Sequence, residues 1–78
     1  MTHQEWKRRS AARILAAVRK AGRIRTRDLE RATHYNRGPE GESIPLWYEA
    51  LDLLEKRKSV IVEYDEEYGL KALFVRVP

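Results

Sequence analysis

Ser43-Ile44-Pro45-Leu46-Trp47-Tyr48-Glu49-Ala50-Leu51-Asp52-Leu53-Leu54-Glu55-Lys56-Arg57-Lys58-Ser59-Val60-Ile61-Val62-Glu63-Tyr64 changes its apolar period part-way along. Trp47, Ala50, Leu51 and Leu54 fall at i, i+3, i+4 and i+7, the stripe of a helix turning every 3.6 residues. Val60, Val62 and Tyr64 then alternate with Ile61 and Glu63, as a half-buried strand requires. Ser43 suits the N-cap, and Pro45 fits the first turn because an N–H there has no helical partner. Lys56-Arg57-Lys58 places cations beside the last carbonyls of the helix. The stretch therefore reads as a helix, Ser43 to Lys58, running straight into a strand.

Downstream, Asp65 to Gly69 forms a hairpin tip hinged at Tyr68-Gly69. Leu73, Val75 and Val77 then alternate against Ala72, Phe74 and Arg76 in a return strand. Upstream, Thr26 to Thr33 is a short helix with Thr26 as N-cap and Asp28 and Glu30 in its first turn. Leu29 and Ala32 are its expected buried stripe. Arg23-Ile24-Arg25 before it is short and extended. The first helix runs from about Glu5 to Ala21, with Ala11, Ile14, Leu15 and Val18 as its apolar stripe. Met1 to Gln4 reads as a frayed start, Trp6 as a cover for the open end of the core, and Gly22 as a left-handed C-terminal cap. His34 to Glu42 is a turn-rich connection, longer than the three or four residues of a compact helix-turn-helix. The expected architecture is one α+β domain over residues 1–78: three helices, then a C-terminal β-hairpin.

The 78 residues lie near the lower size limit for folding without staples, and there is no cysteine to supply disulfides or thiolate metal sites. Ile14 to Val18 is too short an apolar run for a signal-peptide core or membrane span. A cytoplasmic protein is expected, nucleoid-associated in a prokaryote. The net charge of +4 is unevenly placed. Met1 to Arg31 holds ten Lys/Arg against three Asp/Glu, whereas Ser59 to Pro78 holds two against four. A polyanion would be drawn to the first two helices and pushed from the hairpin.

Trp47 to Ile61 resembles the part of winged helix-turn-helix proteins in which a recognition helix ends in a leucine-anchored turn and enters the second strand. Ile24 to Ala32 resembles that family's first strand and second helix, and together the likeness covers most of the chain from Ala11 onward. Family members commonly carry glycine near Lys58 or Ser59; this chain does not. The layout is also similar to winged-helix modules appended to plasmid or phage replication proteins. The resemblance implies that Arg23-Ile24-Arg25 pairs as a third strand beside the hairpin, or wing. It also implies nucleic-acid binding in regulation or replication rather than catalysis.

Lys7, Arg8, Arg9 and Arg13, with Arg23, Arg25, Arg27 and Arg31, are candidate phosphate contacts, against the plain alternative of a solvated face partly neutralised by Asp28 and Glu30. His34, Asn36 and Arg37, with Tyr35, are residue types that read base edges or stack on bases. Equally, Asn36 and Gly38 can shape the turn while Tyr35 caps the core. Pro45, Tyr48, Glu49, Asp52, Glu55 and Lys56 face away from the core, and that face is hardly basic. Only its start, Ser43, Leu46 and Tyr48, suits base contact. The tip Asp65-Glu66-Glu67 would be repelled from a minor groove, so it points elsewhere, faces a basic partner, or only solubilises the turn.

His3 and His34 lack partners at ligand spacing, so neither metal nor cofactor is expected. Arg37 to Ser43 lacks the Gly-Lys-Ser/Thr of a phosphate-binding loop. No serine has a base and orienting acid nearby in sequence, so no enzyme is expected. The reading is a nucleic-acid-binding domain, DNA before RNA, monomeric or weakly dimeric. Its rival is a protein-interaction or dimerisation module using the acidic wing, the third helix or the Trp6 end.

Overall fold

A computed structural model of the chain describes residues 2–35, 41–67, 69 and 71–78. Asn36, Arg37 and Tyr68, each named above, lie outside the described residues. Among those described there are three helices, α1 (His3–Ala21), α2 (Thr26–Thr33) and α3 (Ile44–Lys56). Three strands accompany them, β1 (Arg23–Arg25), β2 (Ile61–Tyr64) and β3 (Ala72–Arg76). The sheet is antiparallel in the order β1-β3-β2, so β1 does flank the hairpin. The α+β class expected from the sequence holds. No helix among the described residues is long and apolar enough to cross a membrane.

α1 begins earlier than its apolar stripe suggests. Thr2 accepts a hydrogen bond from the Glu5 N–H at 3.1 Å, so the end expected to fray is capped. At the other end Gly22 takes φ +78° and its N–H reaches the Val18 carbonyl at 2.8 Å. α2 also departs from expectation. Thr26 is its first helical residue and not its cap; Arg25 holds the cap position without a side-chain hydrogen bond. Thr33, not Ala32, joins Leu29 in the buried face, because its hydroxyl donates to the Leu29 carbonyl at 2.6 Å and is thereby satisfied inside.

Ser43 caps α3 as expected, accepting from the Leu46 N–H at 3.3 Å. At the far end the Ser59 N–H reaches the Leu54 carbonyl and the Lys58 N–H the Glu55 carbonyl, both at 3.0 Å. This paired closure needs a left-handed residue, and Lys58 supplies it at φ +59° where glycine would be easier. The strands register Ile24 and Val62 on either side of Val75. The β2–β3 pairing then slips: Glu63 faces Phe74, but Tyr64 faces Ala72. Leu73 is the extra residue of this bulge, so it turns outward while Ala72 packs on the core, reversing the expected alternation there.

The core joins Ala11, Ile14 and Val18 of α1 to Leu29, to Trp47, Ala50, Leu51 and Leu54 of α3, and to Val60, Val62 and Val75. Trp47 is fully buried, and its indole N–H donates to the Thr33 hydroxyl at 3.0 Å. One polar cluster is buried with it. The Glu42 side chain has no solvent exposure. It accepts from the Ser10 hydroxyl, from Arg13 Nη2 at 3.3 Å and from the Tyr35 N–H at 3.1 Å. Its own N–H donates to the Tyr35 carbonyl at 2.7 Å, so the two ends of the α2–α3 connection are clamped together over α1.

Candidate nucleic-acid interface

Two of the expected phosphate contacts are paired with carboxylates of the chain itself, Arg13 half-buried and Arg23 at the surface. Arg13 donates to Glu42, to the Ser10 hydroxyl and, through Nε at 3.0 Å, to the Thr33 carbonyl, where it satisfies the end of α2. Arg23 forms a two-pronged pair with Glu63, at 2.8 and 3.1 Å, and lies 3.8 Å from the Phe74 ring centroid. Arg76 approaches the same carboxylate at 3.7 Å. Hydrogen bonding to Arg23 holds the Glu63 pKa below its ordinary value, and the carboxylate raises that of Arg23 in turn.

The remaining cations of α2 and its flanks come together. Arg27 and Arg31 stand one turn apart on the exposed face of α2. With Glu30, His34 and Ile44 they line a cleft of about 500 Å³ toward the start of α3. Arg27 and Glu30 also line a second cleft, of about 440 Å³, with Thr26, Tyr48, Lys71 and Ala72. Arg27 and Lys71 continue into a third with Arg25, Ala72, Leu73 and Phe74. Arg25, Arg27, Arg31 and Lys71 thus border one continuous surface, and none has an ion-pair partner among the described residues. Lys7, Arg8 and Arg9 stand on α1 and line none of these three clefts.

Tyr48 is 41% exposed beside this surface. Burial of its hydroxyl, then the nearby Glu30 carboxylate, raise the Tyr48 pKa above the usual phenol value. The other proposed base contacts are less available. Leu46 is buried, because the first turn of α3 packs it inward. Ser43 is exposed, but its oxygen is the acceptor that caps α3. His34 Nε2 lies 2.6 Å from the Glu42 carbonyl, which requires the proton on that nitrogen and ties the ring to the connection. Asn36 and Arg37 lie outside the described residues.

The rest of α3 presents a different surface. Glu49 meets His3 at 3.0 Å, Asp52 meets Lys56 at 3.1 Å, and Glu55 accepts from the Tyr64 hydroxyl at 3.0 Å. Burial and that bond to Glu55 raise the Tyr64 pKa. At the hairpin Asp65 Oδ1 accepts from the Glu67 N–H at 2.8 Å, leaving Glu66 and Glu67 exposed. Trp6, whose exposure was the ground for dimerisation through α1, is half-buried with its ring 5.3 Å from that of Tyr35. No three His, Cys, Asp or Glu side chains among the described residues are grouped to hold a metal ion.

Sequence reasoning missed Lys71, Glu30 and Glu42. Lys71 joins the cationic face only because β3 lies beside β1, which brings together residues more than forty positions apart in sequence. No protein-family model, curated protein or solved structure matches the chain.

Proposed function

We propose that this chain is a winged-helix module that binds nucleic acid, DNA before RNA, as an accessory to regulation or replication. The element order α1-β1-α2-α3-β2-β3 with β1 beside β3 supports the fold reading. The observation that carries the function is the continuous border of Arg25, Arg27, Arg31 and Lys71, free of internal carboxylate partners among the described residues. Charges so placed release counterions from a phosphate backbone, which makes binding steeply salt-dependent. α2 and the adjoining ends of β1 and β3 hold the backbone, and Tyr48 at the start of α3 lies nearest the bases. The cations of α1 act by longer-range attraction.

Fluorescence anisotropy of short duplex and single-stranded oligonucleotides across a salt series tests this. Four phosphate contacts give a log–log slope of about −3.6 on duplex. Replacing Arg27, Arg31 and Lys71 together by alanine brings it to about −1 while leaving the fold intact. Absence of binding to either oligonucleotide at low salt would refute the reading, as would an unchanged slope in the triple variant.

One set of observations favours a second reading, a protein-interaction module. Glu49, Asp52 and Glu55 line α3, and Ile61, Tyr64 and Leu73 are exposed large hydrophobic residues on the neighbouring strands. A single stable, nuclease-insensitive partner recovered by the intact chain, and lost on substituting those residues, would favour it.

A further inference from the structure

Among the described residues, Glu30 is the only acidic side chain lining the three clefts of the cationic face, and it sits between Arg27, Arg31, Tyr48 and Lys71. On a surface built only for phosphates it is out of place, since it repels the polymer its neighbours attract. It is half-buried and lines one of these clefts beside Tyr48, whose hydroxyl feels its charge. A carboxylate offers about four lone-pair sites. They are open to a donor arriving along the groove that Arg27 and Lys71 border.

We propose that Glu30 is a base-reading residue whose carboxylate accepts a hydrogen bond from the exocyclic amino group of a cytosine in duplex DNA. This rests on the functional reading above. In the major groove the cytosine amino group is the donor suited to a carboxylate, whereas guanine and thymine present acceptors that Glu30 repels. Adenine also carries an amino group there, but its N7 acceptor lies beside it and disfavours the same approach. Tyr48, which lines the same cleft, is the positioning residue beside that carboxylate.

The test is selection from a duplex pool with a randomised window, sequencing the bound fraction at low salt. The parent protein enriches cytosine about fivefold at one position, the lower range for a single base contact. Glu30→Gln, shown to be folded by its thermal melt, loses that enrichment but binds at least as tightly, because a negative charge has gone. Tyr48→Phe keeps the ring and retains only part of the enrichment. Parent binding without base preference would overturn the proposal, as would a cytosine preference that survives in both Glu30→Gln and Glu30→Ala. Either result leaves the nucleic-acid reading standing. Failure of the parent to bind any oligonucleotide at low salt would overturn both.

Discussion

Replacing Glu42 by alanine should be among the most damaging single changes in the molecule, although nothing in its local sequence marks it. Its carboxylate is the acceptor for the fully buried Ser10 hydroxyl and for the Tyr35 N–H. Leaving two such donors unsatisfied costs about 1–3 kcal/mol each. The Arg13 contribution is discounted, because that side chain is 34% exposed and water can replace the lost contact. Water entering the vacated space offsets part of the remainder, so a loss of about 3 kcal/mol is expected. For a chain of this length that lowers Tm by roughly 12–24 °C. Glu42→Gln keeps one acceptor oxygen and should cost about 1–2 kcal/mol. Thermal and urea melts followed by circular dichroism measure both, and adding Ser10→Ala completes a double-mutant cycle with a coupling of at least about 1 kcal/mol. Strict additivity, or a Glu42→Ala loss below about 0.5 kcal/mol, would refute the claim that this cluster anchors the α2–α3 connection.

Lys58→Gly relieves a left-handed lysine at φ +59°. Strain relief of about 1–2 kcal/mol, offset by the greater freedom of unfolded glycine, leaves a gain of roughly 0.5–1 kcal/mol. Tm should rise by about 2–8 °C, and Lys58→Ala should give no such rise. The Arg23–Glu63 pair lowers the Glu63 pKa, so its contribution is complete above the ordinary carboxylate value of 4.5 and disappears as pH falls through the lowered folded value. Urea midpoints measured from neutral to acid pH should therefore fall less steeply below 4.5 in Glu63→Gln than in the parent. Changing Asp65, Glu66 and Glu67 to their amides should tighten duplex binding about twofold to threefold at low salt. Each charge near a phosphate costs roughly 0.2 kcal/mol after screening, and Asp65→Asn keeps a side-chain oxygen to accept from the Glu67 N–H in the turn. Unchanged anisotropy affinities would place the hairpin tip away from the polymer.

The fold was legible wherever a local rule and a global one agreed. Trp47, Ala50, Leu51 and Leu54 recur at helical spacing and are buried together, and Ser43 caps the helix that the pattern proposes. Reading failed where a distant contact overrode a local preference. Ala32 looks more apolar than Thr33, yet the threonine goes inside because the Trp47 indole needs an acceptor there. Leu73 fits a strand alternation that the bulge between Glu63 and Tyr64 breaks, and a bulge leaves no reliable mark on the composition around it. Glycine is a frequent solution at the end of α3 but not an obligatory one. The carbonyls of Leu54 and Glu55 need donors there, and a lysine in a costly conformation supplies the turn that brings them.

Charge was harder to read than shape, because a cation is available to a ligand only if the fold does not use it first. The excess of Lys/Arg up to Arg31 is a property of the sequence, but Arg13 meets a carboxylate 29 residues away and Arg23 one 40 residues away. Both carboxylates lie beyond any window in which local charge patterning is informative. The same packing that pairs these two arginines adds Lys71, which the sequence places in its acidic half, to the face of Arg25 and Arg27. The cationic surface is therefore made by strand order as much as by composition. A variant that disrupted β1–β3 pairing would weaken polyanion binding without changing net charge, whereas a binding site dependent on composition alone would tolerate it.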